Sequence, residues 1–404
     1  MDEHKEKKNI LWIGALSWLN ADLTYFPNAS YPGIVSGSAF QQSIIEGFEQ
    51  HGNDVQILTD CDMGSGERLE WSHNDKSKDI RVAGKSNKIL RIIKKTQGLK
   101  RELRKTKILA NKDVVLAYEM HLPYLFALKK IKRINKNIPT ILICPDLSIY
   151  MDVNSKNKPL KRFLKKIENW MMKKLLRYVD GVVLFTEQMN DYFSFKRLPY
   201  VVVEGVCRNK FSLEVKQKKN YILHAGSLHK NTGIEQLIDA FERLEENDLE
   251  LWFCGSGAMD EYILAKAKQN KKIKHLGFVN PTLLFEYEKE ALMLVNVRDP
   301  KEEYTKYSFP SKTFEFMLSG TITLCTELPG IPSEYKEHLI MISSNKVEEI
   351  IAGIHLIMDM KEEDRLNFGL KARKFALEEK NQYIQSGKII QFIDSLLNNQ
   401  KECK

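Results

Sequence analysis

The sequence has little glycine or proline and no paired cysteines, and each shortage excludes a class of protein. Glycine and proline together occupy 33 of 404 positions, which excludes collagen-like chains and argues against a disordered one. The six cysteines are scattered without a C-x-x-C pair, so a disulfide-stapled module is excluded and a reducing cytosol fits best. With 43% apolar and 28% charged residues, the chain has the composition of a folded protein of about two domains.

Long hydrophobic runs and common ligand motifs are also missing. The first apolar stretch, residues 10–16, is too short for a secretory core or a membrane span, so we expect a cytoplasmic location. No cluster of His, Cys, Asp and Glu has metal-ligand spacing, and we interpret Asp60-Cys61-Asp62 as a loop. The chain has no Walker loop, and no G-x-G-x-x-G follows its first predicted strand. The sequence therefore predicts neither a bound metal nor a cofactor.

Positive charge is concentrated in the first half of the chain. Residues 1–200 contain 34 Lys and Arg against 22 Asp and Glu, and residues 81–112 contain twelve basic residues with Glu102 as the single acid. Ile89, Ile93 and Leu99 recur there at roughly helical spacing. This pattern fits either a solvated helix face or a basic amphipathic surface that contacts an anionic membrane. The cations on which the membrane hypothesis depends are Lys94, Lys95, Arg101 and Arg104.

Apolar runs of strand length alternate with helical patterns through both halves, which predicts parallel βαβ units. We expect two doubly wound, Rossmann-like parallel-sheet domains, residues 1–205 and residues 206–404, with the last helix a candidate to cross back to the first domain. Open parallel sheets bind ligands at the carboxyl ends of their strands, so two such domains should face a cleft that holds the active site. The predicted strands are residues 9–14, 54–59, 113–118, 140–144, 181–186, 200–203, 220–224, 249–254, 273–276, 292–295, 321–325 and 339–341.

The turn at residues 225–233 is the first candidate ligand site. It lies between a predicted strand and an amphipathic helix, and it contains Gly226, Lys230 and Gly233. Backbone amides of such a turn, the helix N-terminus and a lysine together favour a phosphate group. The same pattern is also typical of a turn that only connects two elements.

The second candidate is the segment Ser308-Phe309-Pro310-Ser311-Lys312-Thr313-Phe314-Glu315. Pro310 and Ser311 indicate a helix start, which would leave amides of residues 311–314 free to meet an anion. Glu315 follows one turn later on the same side, where its carboxylate could accept two hydrogen bonds from a ribose diol. The alternative is a capped helix in which Glu315 faces solvent.

Taken in order, these segments resemble the retaining glycosyltransferases of family 4, which have the two-domain GT-B fold. The similarity covers most of the chain and is strongest over residues 221–337. The shared motifs are the Gly-Ser-Leu turn at 226–228 with Lys230 and Gly233, Gly255-Ser256-Gly257, Gly277-Phe278-Val279, Pro310 to Glu315, Ser319-Gly320 and residues 328–332 before Glu334.

The resemblance implies transfer of a sugar, with retention of configuration, from a nucleotide diphosphate sugar to a glycan or polyprenyl-linked acceptor. UDP is the favoured nucleotide, bacterial surface polysaccharide synthesis is the expected setting, and the sugar nucleotide is a co-substrate rather than a cofactor. Such an enzyme needs no metal, and we expect no nucleic-acid partner. Peripheral association with the inner face of the cell membrane would bring the enzyme to a lipid-linked acceptor.

The resemblance also assigns residues to a donor site. Glu315 matches the glutamate that binds ribose, and Tyr307 stands where the family has another glutamate. Gly33, Ser36 and Gly37 match a glycine loop ahead of a helix in the first domain. The remaining residues implied for nucleotide-sugar binding are Gly226, Ser227, Lys230, Thr232, Gly233, Gly255, Phe278, Val279, Ser311, Lys312 and Thr313.

Three residues are candidates for catalysis. Asp146, at the carboxyl end of a predicted strand, could accept the proton of the acceptor hydroxyl, or it could be a turn residue. His121 is the other candidate for this role and could instead cap a helix. Lys230 would stabilise the departing diphosphate.

Three alternative functions stay open at this point. A nucleotide-sugar 2-epimerase shares the fold. A non-catalytic scaffold would explain why Tyr307, Ser227 and Thr232 replace groups of the family pattern. A nucleic-acid-binding protein could use the basic first half, although its basic segments lack interleaved aromatic residues.

Overall fold

The computed structural model describes residues 7–16, 32–59, 78–79, 88–147, 159–209, 211–246 and 248–402. The chain divides into two compact units, of which one comprises Met1–Val206 with Gln382–Lys404 and the other Cys207–Asn381. The segment Asp60-Cys61-Asp62 lies outside the described residues.

The first unit is built on a seven-stranded parallel sheet with the order β3-β2-β1-β4-β5-β6-β7. Strand β1 lies near its centre, pairs with β2 and β4, and has four successive buried residues from Ile10 to Ile13. A strand that is buried on both faces is typical of a sheet covered by helices on each side. The strands are β1 (Asn9–Gly14), β2 (Asp54–Thr59), β3 (Lys78–Asp79), β4 (Val114–Tyr118), β5 (Thr140–Cys144), β6 (Gly181–Leu184) and β7 (Tyr200–Val202).

The helices of the first unit connect these strands, and the last helix of the chain returns to join them. Gly47 of α1 (Pro32–Gln50) lies where a side chain would collide with the backbone carbonyl of Gln382, the first residue of α13 (Gln382–Glu402). The two helices therefore pack with their backbones unusually close. The helices of this unit are α1 (Pro32–Gln50), α2 (Lys88–Glu102), α3 (Thr106–Leu109), α4 (Leu122–Ile134), α5 (Pro159–Leu175), α6 (Asn190–Phe193) and α13 (Gln382–Glu402).

The second unit is built on a six-stranded parallel sheet with the order β10-β9-β8-β11-β12-β13. Its strands are β8 (Lys219–Ala225), β9 (Glu250–Cys254), β10 (Ile273–Gly277), β11 (Ala291–Asn296), β12 (Thr323–Thr326) and β13 (Ile340–Ile342). Its helices are α7 (Ile234–Arg243), α8 (Asp260–Gln269), α9 (Pro281–Glu290), α10 (Lys312–Ser319), α11 (Val347–Met358) and α12 (Glu362–Glu379).

The predicted fold class of two doubly wound parallel sheets is confirmed by these topologies. One short strand was not predicted, and one local prediction is wrong. The sequence did not indicate β3, because two residues are too few to show periodicity. The expected glycine loop ahead of a helix is itself helical: Gly33, Ser36 and Gly37 lie inside α1, which begins at Pro32 because proline suits the first helical turn.

The contact between α1 and α13 gives the first prediction. A Cβ atom at Gly47 would lie 2.4 Å from the carbonyl oxygen of Gln382 and 2.4 Å from Oγ of Ser386, so Gly47→Ala must force the helices apart. We expect it to lower the free energy of unfolding by about 1–3 kcal/mol, measured by urea denaturation. Gly387→Ala is the control, because its Cβ would meet only the ring tip of His51, at 3.3 Å. Equal stability of the Gly47 variant and the wild type would contradict the packing.

Candidate functional site

Three turns at the carboxyl ends of β8, β9 and β10 are joined by backbone hydrogen bonds. The amide of Gly226 donates to the carbonyl of Cys254 at 2.9 Å, and the amide of Gly255 donates to the carbonyl of Gly277 at 2.8 Å. The amide of Leu228 donates to Ser256 at 3.1 Å. These bonds fix the turns to one another at the edge of the sheet where ligands of doubly wound proteins bind.

Two glycines are required by this arrangement. Gly255 has φ of +139°, and a Cβ atom there would lie 1.8 Å from the carbonyl oxygen of Gly226. Gly233 has φ of +79°, and its Cβ would lie 1.9 Å from the carbonyl oxygen of Val297. Both combine a backbone conformation that favours glycine with a contact that excludes any side chain. The turn is therefore rigid and bare, as close approach of a ligand to the backbone requires.

The turn at residues 226–233 differs in one respect from its predicted form. The amide of Gly226 was expected to face a phosphate group, but it is bonded to Cys254, so Gly226 contributes its conformation rather than a donor. The Thr232 hydroxyl donates to the carbonyls of Ser227 (3.2 Å) and His229 (2.6 Å) inside the turn. The side chain of Lys230 is 80% exposed, with its ammonium 3.6 Å from the carboxylate of Glu235.

Helix α10 begins at the predicted place, but two of the amides expected to be free are bonded. Thr313 donates to the carbonyl of Pro310 at 2.9 Å, and Phe314 donates to Ser311 at 3.3 Å. The tight first turn uses these groups itself, as helix starts often do. Among the described residues, the amides of Ser311 and Lys312 are the donors left at this helix N-terminus.

Lys312 lies between the two candidate ligand sites predicted from the sequence, the turn at residues 225–233 and the segment that contains Glu315. Its ammonium contacts the carboxylate of Glu315, and its Cγ lies 3.9 Å from the point where a side chain on Gly226 would begin. The Glu315 carboxylate is 46% exposed and can therefore be reached by a ligand. The structure thus places an accessible carboxylate and a largely buried ammonium beside the turn that follows β8.

Glu288 is a member of this cluster that the sequence reasoning missed. It lies on α9, is fully buried, and has a carboxylate oxygen 3.7 Å from the Lys312 ammonium. Burial, opposed in part by Lys312, raises the pKa of Glu288 to about 8. The neighbouring carboxylates of Glu315 and Glu288 raise the pKa of Lys312, against the effect of burial. The one available sequence signal is that Glu288 falls one helical turn after the buried Phe285, where an apolar residue is expected.

The other predicted donor-site residues surround the same strand ends. Gly277 ends β10 with φ of +67°, and the Phe278 side chain that follows it is 57% exposed. Val279 packs against the apolar cluster around Leu223. Tyr307 is partly buried after a short 3₁₀ turn, and the neighbouring Tyr304 hydroxyl donates to the carbonyl of Asn231 at 2.9 Å. This last bond ties the 3₁₀ turn Glu303–Lys306 to the turn after β8.

In the first unit, acidic groups gather at the carboxyl ends of β4 and β5. The pKa of Tyr118 is raised, chiefly because the residue is buried and also because the carboxylates of Glu119 and Asp146 are near it. The Tyr118 hydroxyl lies 3.5 Å from where a side chain on Gly37 would begin. His121 precedes α4 without capping it through its side chain, and its ring nitrogen lies 3.3 Å from the carboxylate of Glu119. The structure therefore places His121 and Asp146 just after the carboxyl ends of β4 and β5, and Gly37 of α1 beside Tyr118.

Glu119 is the residue that sequence reasoning missed here. Its φ of +72° is uncommon for a residue with a side chain, and such strained positions are found often at functional sites. No pattern in the sequence marks this backbone conformation in advance. In the part of the chain that the structure describes, no group of three or more His, Cys, Asp and Glu is arranged to hold a metal ion.

Comparisons with known proteins agree with this fold. Residues 207–375 match the family model described as glycosyl transferases group 1. A sucrose-phosphate synthase from Thermosynechococcus elongatus is 13% identical with a TM-score of 0.69, and the alignment covers 97% of this chain and 100% of that one. No curated protein sequence matches significantly.

Two further solved structures are similar over nearly their whole length. The lipopolysaccharide outer core galactosyltransferase WaaB is 14% identical with a TM-score of 0.64, covering 96% of this chain and 99% of that one. Anabaena HepE in complex with UDP is 12% identical with a TM-score of 0.63, covering 96% and 100%. The chain therefore has the GT-B fold, and its second unit carries the part that matches the group 1 model.

The buried Glu288 predicts a pH dependence of stability. Its pKa is about 8 in the folded chain against 4.5 for the ordinary side chain, so the folded state holds a proton that the unfolded state releases. The free energy of unfolding should therefore fall as pH rises from about 4.5 to about 8, by at most about 1.4 kcal/mol per pH unit from this group. Glu288→Gln should remove this contribution, which urea denaturation across that range would measure. If the free energy of unfolding changed with pH in the same way in the wild type and the variant, this assignment to Glu288 would be contradicted.

Proposed function

We propose that the protein is a retaining glycosyltransferase that moves a sugar from a nucleotide diphosphate sugar, with UDP favoured, to a glycan or polyprenyl-linked acceptor. The observation that supports this most is the position of Glu315 and Lys312 beside the rigid turn at Gly226. A diphosphate fits the turn and the neighbouring helix N-terminus, and the exposed Glu315 carboxylate fits the ribose diol. The group 1 match over residues 207–375 and the UDP bound to HepE support the same assignment.

The chemistry of this reaction requires stabilisation of a departing diphosphate. The charge on the leaving group grows as its bond to the sugar breaks, so donors that are already in place lower the barrier. The groups proposed for this role are the Lys230 and Lys312 ammonium groups and the backbone amides of Ser227, Ser311 and Lys312. Phe278 and Val279 would lie along the nucleobase, and Tyr307 would take the place of the second glutamate of the family pattern.

The acceptor hydroxyl must lose a proton, and Asp146 is the residue proposed to accept it. Its carboxylate is near the carboxyl ends of β4 and β5, together with Glu119 and His121. His121 is the second candidate and is oriented by Glu119. We propose that this reaction proceeds without a metal ion or cofactor, and that it serves bacterial surface polysaccharide synthesis, in which lipopolysaccharide enzymes such as WaaB act.

Replacement of Glu315 tests the donor assignment. Glu315→Ala removes the acceptor of the ribose hydroxyls and should weaken nucleotide binding by about 1.5–3 kcal/mol, the range for hydrogen bonds to charged groups. Calorimetry with UDP, GDP and dTDP measures this, after thermal stabilisation has shown which of the three binds. Glu290→Ala is the control, because Glu290 pairs with Lys219 away from the turn. Unchanged affinity in the folded Glu315 variant would remove the ribose assignment, and no binding by the wild type would remove the glycosyltransferase proposal.

Asp146→Asn tests the acceptor side. The change keeps the size of the side chain and removes its basicity, so turnover should fall while donor affinity stays the same. Initial rates of sugar transfer and calorimetry on the same preparation separate the two effects. Near-normal turnover would return Asp146 to a structural role and leave His121 as the candidate base.

Peripheral contact with an anionic membrane is a further part of the proposal. None of the described helices is both long and apolar enough to cross a bilayer. At one end of α2, Ile89, Leu90 and Ile93 are 61%, 48% and 45% exposed, while Leu99 at the other end is buried in the core. The apolar residues at the start of this basic helix therefore face solvent, whereas Leu99 near its end packs in the core. Lys94, Arg101 and Arg104 are exposed beside it, and Lys95 is partly so.

Helix α5 has a second exposed apolar face. Phe163, Leu164, Ile167 and Trp170 are 60%, 47%, 39% and 56% exposed, and their spacing puts them on one side of the helix. Met172, Leu175 and Leu176, towards the end of the helix, are buried. The ammonium of Lys174 lies 3.8 Å from the ring centre of Trp170. Aromatic rings flanked by lysines suit the headgroup region of an anionic membrane.

Sedimentation with lipid vesicles tests this contact. The protein should sediment with vesicles that contain anionic lipid, less with zwitterionic ones, and less again as salt rises. Reversing Lys94, Lys95, Arg101 and Arg104 to Glu should abolish binding, and Phe163→Ser with Trp170→Ser should weaken it. Leu356→Ser is the control, since Leu356 is 56% exposed on the other unit. Equal binding to both vesicle types, or none, would mean that these helices are only solvated surfaces.

A further inference from the structure

Glu288 is a carboxyl group on the buried face of α9, where an apolar side chain is expected. It is fully buried, and neither of its oxygens has a hydrogen-bond partner among the described residues. Burying a carboxylate without hydrogen bonds is costly, so the group must be compensated by Lys312 or hold a proton. Phe285, one turn earlier on the same helix, shows that this face of α9 otherwise packs against apolar residues. A residue that costs stability here needs a reason outside the packing.

The charges around Glu288 connect it to the donor site. The titratable groups that face it are Lys312 and Glu315 from α10 and the Cys254 thiol from β9. Burial raises the pKa of the Cys254 thiol to about 12, so this group stays neutral. With both carboxyls ionised, the cluster of Glu288, Lys312 and Glu315 has a net charge of about −1, whereas protonation of Glu288 makes it neutral.

We propose that Glu288 is a positioning residue that controls donor binding through Lys312. When Glu288 is neutral, the Lys312 ammonium is shared between Glu315 and the donor phosphate. When Glu288 is ionised, it draws Lys312 to itself and leaves an uncompensated negative charge beside an anionic ligand. This inference deepens the proposed function and depends on its donor site.

The direction of the pH effect follows from the charge balance. Since burial raises the pKa of Glu288 to about 8, the neutral form predominates below that pH. Donor affinity should therefore be constant below about pH 8 and fall above it, by at most about tenfold per pH unit for one linked proton. Above that pH, nucleotide binding should take up a proton at Glu288 from the buffer. No covalent bond to the nucleotide forms or breaks.

Calorimetry with UDP between about pH 6.5 and about pH 9.5 tests the proposal on the full chain. The wild type should lose affinity above about pH 8 and take up a proton on binding, seen as a dependence of the measured heat on the buffer. Glu288→Gln, which mimics the protonated carboxyl, should show neither effect. Glu286→Gln is the control, because Glu286 lies on the same helix but pairs with Lys289. The titration of UDP itself is common to all three proteins and cancels in the comparison.

Three outcomes separate the possibilities. If the Glu288 variant and the wild type lose affinity in parallel, or if the variant binds equally weakly at every pH, the proposal is overturned and Glu288 is only structural. If the Glu288 variant does not fold, Lys312→Met serves instead, and it should also lack the affinity loss above about pH 8. If UDP, GDP and dTDP all fail to bind the wild type at any pH, the proposed function fails first.

Discussion

The close approach of backbone turns at the ends of β8, β9 and β10 is the constraint on which the proposed donor site depends. Gly255 can lie against the carbonyl of Gly226 only because Gly255 has no side chain. The two hydrogen bonds from Gly226 to Cys254 and from Gly255 to Gly277 then hold three strand ends as one surface. Because the turn itself is bare, polar chemistry must come from neighbouring elements, and α10 supplies it with Lys312 and Glu315.

The charges next to this turn are arranged by burial as much as by pairing. The Glu315 carboxylate stays accessible, Lys312 is largely enclosed, and Glu288 is removed from water altogether. An exposed ion pair of this kind would contribute little, whereas charges in a drier environment interact more strongly. Whether Glu288 is protonated therefore changes the electrostatic potential at the place proposed for a donor phosphate.

The sequence predicted the sheets well because buried parallel strands leave a clear pattern. Strands β1, β2 and β5 begin and end at the predicted residues. The start of α1 was missed because the family resemblance implies a glycine loop at Gly33 to Gly37, although Pro32 suits a first helical turn. The two-residue strand β3 carried too little pattern to detect.

The sequence indicates which residue types surround the candidate site, but not the contacts that they make. The positions of Gly226, Gly233 and Glu315 follow from their motifs, and the structure places them around one strand edge. Three features of the site depend on tertiary packing. They are the hydrogen bond from the Gly226 amide to Cys254, the left-handed backbone of Glu119 and the burial of Glu288. Single residues such as Glu288 show no periodicity of their own, so only the structure shows what they face.

Amide hydrogen exchange in the presence of a nucleoside diphosphate tests the central claim most directly, because it locates the bound ligand along the chain. The account predicts that the nucleotide that binds slows exchange in residues 226–233 and at the start of α10, residues 311–315. A nucleotide that binds while protecting only other segments would contradict the donor site described for this protein.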